Sequence, residues 1–342
     1  MGQLRMTLKG TSLSISTPET AAVTGEEAMR AADIFDRMAE SVGTVARCAP
    51  ATVRLLLTAF ATGGHVLLED LPGMGKTTVA RALAAVTGGT ARRVQCTPDL
   101  LPSDITGVTI FDERTREFEF HPGPVFANVV IVDEINRTSP RTQSALLEVM
   151  QEGRVTVDGK AHPVPDPFLV VATQNPADLE GTFPLPEAQL DRFLMRLSLG
   201  YPGEEAELSL MRGASMAAPE DLVCVLDGAE MSRLAAAADR IIFADPVYQY
   251  VLELAQRTRR HPRLRAGVSM RASIALCRAA RMYALADGRV YVTPDDIKDL
   301  AGPVWGHRLA PFSRASSAEE NTALLAEVLA EVPVPGPHGN RP

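Results

Sequence analysis

The sequence predicts an α/β fold, a mainly parallel sheet sandwiched by helices in three layers, followed by a small all-helical domain. Three observations carry that expectation. Short apolar runs bounded by turns alternate with amphipathic helical stretches down to about Gly200. Two of those runs, "NVVIVDEI" and "FLVVATQ", are almost wholly apolar, as strands covered on both faces must be. Beyond Pro202 nearly every periodic segment has helical spacing.

The elements follow in order. From roughly Ile34 to Phe60 apolar positions recur at helical spacing, and "ATVRLLLTAFATGG" ends on a glycine stop. "HVLLED" is a short strand, "KTTVARALAAVTGG" a helix and "ARRVQC" a second strand. "VTIFDERTREFEF" alternates on both sides of a polar turn, which predicts a hairpin. After the strand in "NVVIVDEI", the helix "SPRTQSALLEVMQEG" ends at Gly153, and "RVTVDGKAHPVPD" folds about Asp158-Gly159, a type I′ turn signal. "FLVVATQ" is a buried strand, and "EAQLDRFLMRLSLG" carries a helix into a short strand. Helices are then expected over 203–213, 228–239, 245–260, 269–287 and 294–301. The last opens with Thr293-Pro294-Asp295-Asp296, an N-cap, a proline at the first helical position and acids in the first turn. The expected organisation is a disordered leader over 1–30, an α/β core over 31–202, a helical domain over 203–333 and a disordered tail over 334–342.

Bulk composition narrows the function. The 342 residues are 46% hydrophobic and carry a formal charge of −8, which disfavours nucleic acid as a partner. Cys48, Cys96, Cys224 and Cys277 are dispersed and form no C-x-x-C pair, so they read as reduced core residues. No apolar run is long enough to span a membrane, and the first residues lack a secretory apolar core. The expected location is the cytoplasm.

The chemistry concentrates in "EDLPGMGKTT" at 69–78. A phosphate loop works because backbone N–H groups converge on anionic oxygens at a helix N-terminus. Gly73 and Gly75 let that backbone curl closely, Lys76 supplies a cation for the outer phosphates, and Thr77 offers a hydroxyl to magnesium. The strict pattern has glycine where Asp70 stands, a position that shapes the entrance turn. Thr78 fills the slot where a dinucleotide fingerprint needs its third glycine, so that alternative fails. Leu71, Pro72, Gly73, Met74, Gly75, Lys76, Thr77 and Thr78 are the candidate ATP-binding residues. Further on, "VVIVDEINR" is an apolar strand ending in Asp133-Glu134. Alternation along a strand makes the two carboxylates diverge, so Asp133 can hold Mg2+ together with Thr77 while Glu134 polarises the attacking water.

Here the chain becomes recognisable. "DEINRTSPRTQSALLEVMQEGRVTVDG", "VVATQNPADLEGTFPLPEAQLDRF", "TPDLLPSDITGV" and "EFEFHPGPVFAN" together resemble the MoxR family of AAA+ ATPases, over about Leu55 to Leu309. The resemblance implies an AAA+ P-loop core with a helical lid, in which a non-glycine loop entrance is a frequent variant. It makes Asn175 the sensor 1 residue, Arg192 of "LDRF" the arginine finger acting on a neighbour's γ-phosphate, and Arg271 of "GVSMRASIAL" sensor 2. Arg137 and Arg141 stand as further finger candidates. The two hairpins match inserts implied to face the ring centre or a client. The family's "VGQ"-like element near the adenine is replaced here by "ARCAP". In "VWGHRL", His307 beside Trp305 reads as packed lid structure.

The resemblance implies Mg-ATP hydrolysis in a closed homo-oligomeric ring, usually a hexamer, driving remodelling, maturation or metal insertion in a client protein. Proteins with a von Willebrand factor A domain are the implied partner type. An MCM-like DNA motor is the alternative motor. A weakly hydrolysing nucleotide switch or scaffold is the alternative from another class.

Overall fold

The computed structural model describes residues 22–46, 48–70, 74–174, 181–201, 203–212, 217–312 and 318–336. The chain opens with two helices, α1 (Gly25–Val45) and α2 (Pro50–Ala61). The core then runs β1 (Val66–Glu69), α3 (Lys76–Val86), β2 (Ala91–Gln95), α4 (Pro102–Thr106), β3 (Gly107–Asp112), β4 (Glu117–Pro122), β5 (Val129–Asp133) and α5 (Pro140–Glu152). It continues through β6 (Arg154–Val157), β7 (Lys160–Pro163), β8 (Leu169–Gln174), α6 (Glu187–Leu190) and β9 (Met195–Leu197). The remainder is α7 (Glu204–Met211), α8 (Gly228–Asp239), α9 (Asp245–Arg260), β10 (Leu264–Ala266), α10 (Met270–Ala286), α11 (Pro294–Trp305), β11 (Ala310–Pro311) and α12 (Ala318–Glu331).

Five strands form one parallel sheet in the order β2-β5-β8-β1-β9. The central strands β1, β5 and β8 are buried on both faces, whereas the edge strand β2 is largely exposed, and period-two alternation sorts the buried side chains between two cores. Val66, Leu68, Val129, Ile131, Leu169 and Val171 join α1, α2 and α3 in one core, which continues into the helical lid. Leu67, Val130, Val132, Val170 and Ala172 face the other way, onto α5 and Ile105 of α4. The expected three-layer α/β architecture with a helical lid is therefore present.

Both hairpins form. Strands β3 and β4 pair antiparallel, as do β6 and β7, whose turn residues Asp158 and Gly159 have φ of 50° and 76°. Two positive φ values in sequence are the type I′ geometry read from Asp-Gly. Gly153 ends α5 in a left-handed cap, φ 62°.

Several boundaries differ from the sequence reading. The single helical stretch over Ile34 to Phe60 is two helices. Pro50 sits at the first turn of α2 and holds Ala49 in an extended conformation, ψ 132°, which a continuous helix cannot accommodate. Helix α1 begins at Gly25, inside the stretch read as leader, because Thr24 and Glu27 form a reciprocal capping box. Helix α11 continues past 301 to Trp305 through Pro303. Helices α4 and α12 and the β10–β11 ribbon were not expected. The sheet ends at Leu197 and the next helix starts at Glu204; Pro202, at the expected boundary, lies outside the described residues. Among the described residues no helix is long and apolar enough to cross a membrane.

Candidate nucleotide-binding site

The site lies at the C-terminal edge of the parallel sheet, where α/β folds bind ligands. Gly75 caps α3 with φ 79°, and a side chain there would be strained in this backbone state. The helix that follows leaves its first amides without intrahelical partners, so they form an anion-binding end. Lys76, the first residue of α3, donates through Nζ to the carbonyl of Asp70 at 2.6 Å. Burial pushes its ammonium pKa down, and the nearby carboxylates of Asp70, Asp133 and Glu134 oppose that shift. Met74, Gly75, Lys76, Thr77 and Thr78 line one wall of a cavity of about 380 Å³, and Asp133, Glu134, Thr173, Arg93 and Gln95 line the other. Leu71, Pro72, Gly73 and Asn175 lie outside the described residues.

The acidic pair is built differently from the sequence argument. Asp133 closes β5, but Glu134 has already left the strand, with φ 57° and ψ 52°. The two carboxylates are separated by this left-handed residue, not by strand alternation. A glutamate in that region is strained, and such strain collects at functional sites. Thr173 of β8 braces the turn by accepting from Glu134 N at 2.9 Å and donating to Asp133 Oδ1 at 3.4 Å. The central position of β8 between β5 and β1 makes this brace reachable.

Three cations or donors hold the acids. Arg93 Nε lies 2.6 Å from Asp133 Oδ2, Arg137 Nη1 3.0 Å from Glu134 Oε2, and Gln95 Nε2 donates to the same oxygen at 3.3 Å. Arg93 and Gln95 are two apart on β2, and the register sets Gln95 opposite Asp133. Sequence reasoning missed Arg93, Gln95 and Thr173. Their signal was the strand order: once β2 and β8 flank β5, the ends of both strands lie beside the acidic pair, with Gln95 level with Asp133 and Arg93 two residues before it, level with Ile131.

Asp70 was read as shaping the mouth of the loop. It is instead 7% exposed, and its carboxylate accepts from Ser198 Oγ, Leu199 N and Gly200 N. Its φ is not positive, as a non-glycine residue there requires.

The remaining candidates are not among the residues that line this cavity, although Arg137 is bonded to one that does. Arg192 follows α6, and its Nη1 donates to the carbonyl of Leu147 on α5 at 2.8 Å. Arg141 is exposed at the start of α5, whereas Arg137 pairs with Glu134 of its own chain. Arg271 is exposed in the first turn of α10, as expected. His307 is buried and bonded through Nε2 to the Phe193 carbonyl, and burial pushes its pKa well down, which fits a packing role.

Residues 65–195 match the family described as "ATPase family associated with various cellular activities (AAA)", and residues 256–328 match the AAA lid domain. The chain is 41% identical to Chaperone MoxR1 of Mycobacterium tuberculosis, over 75% of this chain and 70% of that protein. It belongs to the MoxR family of AAA+ ATPases. The chain is also 49% identical to the uncharacterised protein YeaC of Bacillus subtilis, over 82% of this chain and 88% of that protein. A solved structure from Cytophaga hutchinsonii, provisionally described as an ATPase, superposes with a TM-score of 0.82 at 35% identity. That superposition covers 91% of this chain and 98% of the other.

Proposed function

We propose that this MoxR-family protein hydrolyses Mg-ATP with Lys76, Thr77, Asp133 and Glu134, and uses the cycle to remodel or mature a client protein. The observation that carries this reading is that the start of α3 and the acidic end of β5 line one cavity of about 380 Å³. The residues fit the ligands. Unpartnered helix amides and a lysine suit phosphate oxygens, and a hydroxyl beside a carboxylate suits magnesium, a hard cation that takes oxygen ligands.

Lys76 and the first amides of α3 would hold the outer phosphates, and Thr77 and Asp133 would hold the metal. When bound, magnesium offsets the charge that develops on the phosphate oxygens. Glu134 would orient the attacking water and take its proton on the carboxylate, whose Oε2 is held by Arg137 and Gln95. Asn175 is proposed to position that water, Arg271 to act from the lid, and Arg192 to reach a neighbour's γ-phosphate. A finger acting in trans needs a head-to-tail interface that closes, hence a ring, with a hexamer as the proposed size. The clients proposed are proteins with von Willebrand factor A domains, through maturation or metal insertion.

The test uses two substitutions. Glu134→Gln is expected to lower ATP turnover by about 10²–10⁴-fold while nucleotide binding persists. Lys76→Ala is expected to weaken nucleotide binding itself, read by fluorescent-nucleotide titration. Wild-type turnover no higher than that of Glu134→Gln would favour a non-hydrolytic switch, and unchanged affinity in Lys76→Ala would remove the phosphate-loop assignment.

A further inference from the structure

Asp70 is where the chain departs from the strict phosphate-loop pattern, and its two ends touch different machinery. It directly follows β1. Its backbone carbonyl accepts from Lys76 Nζ at 2.6 Å. Its carboxylate reaches in another direction: Oδ1 accepts from Ser198 Oγ at 2.6 Å and from Gly200 N at 3.3 Å, and Oδ2 accepts from Leu199 N at 2.9 Å.

Those three donors are consecutive and lie just after β9, where the chain leaves the sheet towards α7 and the lid. Leu199 is 2% exposed, so its amide has little access to water as a substitute partner. Gly200 takes φ 67°, a state that suits a residue without a side chain at a change of direction. The glycine that the strict pattern asks for at position 70 would strand the Leu199 amide and the Ser198 hydroxyl. The carboxylate bonds alone would make Asp70 a staple. The Lys76 bond makes it a link.

We propose that Asp70 is a positioning residue that couples occupancy of the nucleotide site to the connector carrying the lid, a reading that rests on the ATPase assignment above. Phosphate oxygens compete with the Asp70 carbonyl for the Lys76 ammonium, and an anionic acceptor is the stronger partner. Loss of that bond releases the backbone of Asp70 from Lys76. The carboxylate, held by three donors, passes the resulting shift to Ser198, Leu199 and Gly200.

The experiment measures amide hydrogen exchange across residues 195–201 of the full chain, with and without a non-hydrolysable ATP analogue. It compares wild type with Asp70→Asn and Ser198→Ala, alongside nucleotide affinity and steady-state kinetics. In wild type the analogue is expected to change exchange at Leu199 and Gly200 several-fold. Asp70→Asn is expected to bind the analogue within about threefold of wild type, to lose that ligand-dependent change, and to lower kcat about tenfold with KM nearly constant. Ser198→Ala removes one donor and is expected to reduce the change, and it carries the comparison if Asp70→Asn does not fold. A ligand-dependent change that survives in Asp70→Asn or is undiminished in Ser198→Ala overturns the coupling. So does a wild type that binds the analogue without any change at these amides, and in both cases the ATPase reading stands. A wild type that binds no nucleotide removes the ATPase reading, and the coupling with it.

Discussion

His65 is the residue at which the lower edge of the sheet is tied together. It stands just before β1 and is 6% exposed. Its Nε2 bonds the Met150 carbonyl at 2.9 Å, and its Nδ1 accepts from Val170 N at 3.0 Å. The ring is therefore the Nε2–H tautomer, and a second proton would have to displace the Val170 bond. Burial pushes its pKa down to about 4. Between that value and the ordinary histidine range the unfolded chain binds more protons, so stability falls as pH falls. From pH 7 to pH 5 the loss from this group is expected to be about 2 kcal/mol. His307, also pushed down, acts in the same sense. Urea unfolding at the two pH values checks this: His65→Ala, though less stable, is expected to show a smaller difference between them. An undiminished difference would place the titration elsewhere.

The element that best shows sequence becoming structure is α11. Thr293 accepts from Asp296 N at 3.3 Å, and Asp296 Oδ2 accepts from Thr293 N at 2.7 Å, a reciprocal cap. Asp296 is 3% exposed and also receives Arg289 through two bonds, at 2.8 and 2.6 Å. Those bonds hold the Arg289 guanidinium pKa well above its usual value. The cap and the ion pair predict unequal costs. Thr293→Ala removes one acceptor and is expected to cost about 1 kcal/mol. Asp296→Ala leaves Arg289 without its buried partner and is expected to cost about 3 kcal/mol. Thermal unfolding in which the two substitutions cost the same would mean that the pair with Arg289 contributes little.

At the scale of the whole molecule, the lid is not an independent ball. Arg54 of α2 reaches Asp36 of α1 and Asp287 at the end of α10, each at 3.1 Å, and it also donates to the Ala286 carbonyl. The apolar core beneath is continuous from the sheet through α1 and α2 to α10 and α11. Within one chain, then, α10 is anchored on the opening helices while the connector after β9 is tied to Asp70. Arg192 belongs to the same scale, since it is bonded to Leu147 of its own chain and its proposed role requires a second copy. Arg192→Ala is expected to keep nucleotide affinity while losing roughly 10³-fold in turnover. Mixing it with Lys76→Ala protein should restore part of the activity, because each chain supplies what the other lacks. No recovery at any mixing ratio would argue against a finger in trans.

The sequence by itself determined the elements whose cause is local. Strand runs, the Asp158-Gly159 turn, the Gly153 stop and the Thr293 cap all depend on neighbours a few residues away, and each stands where it was read. Lys76 and the Asp133-Glu134 pair were legible as a candidate site for the same reason, since loop and strand end each carry their own signature, and they line one cavity. Only the tertiary structure decided what reaches those groups from elsewhere in the chain. Arg93 and Thr173 face Asp133 because β2 and β8 flank β5, and Asp70 meets Ser198, Leu199 and Gly200 because β9 lies beside β1. Those bonds join residues far apart in sequence, and no local pattern encodes which strands become neighbours.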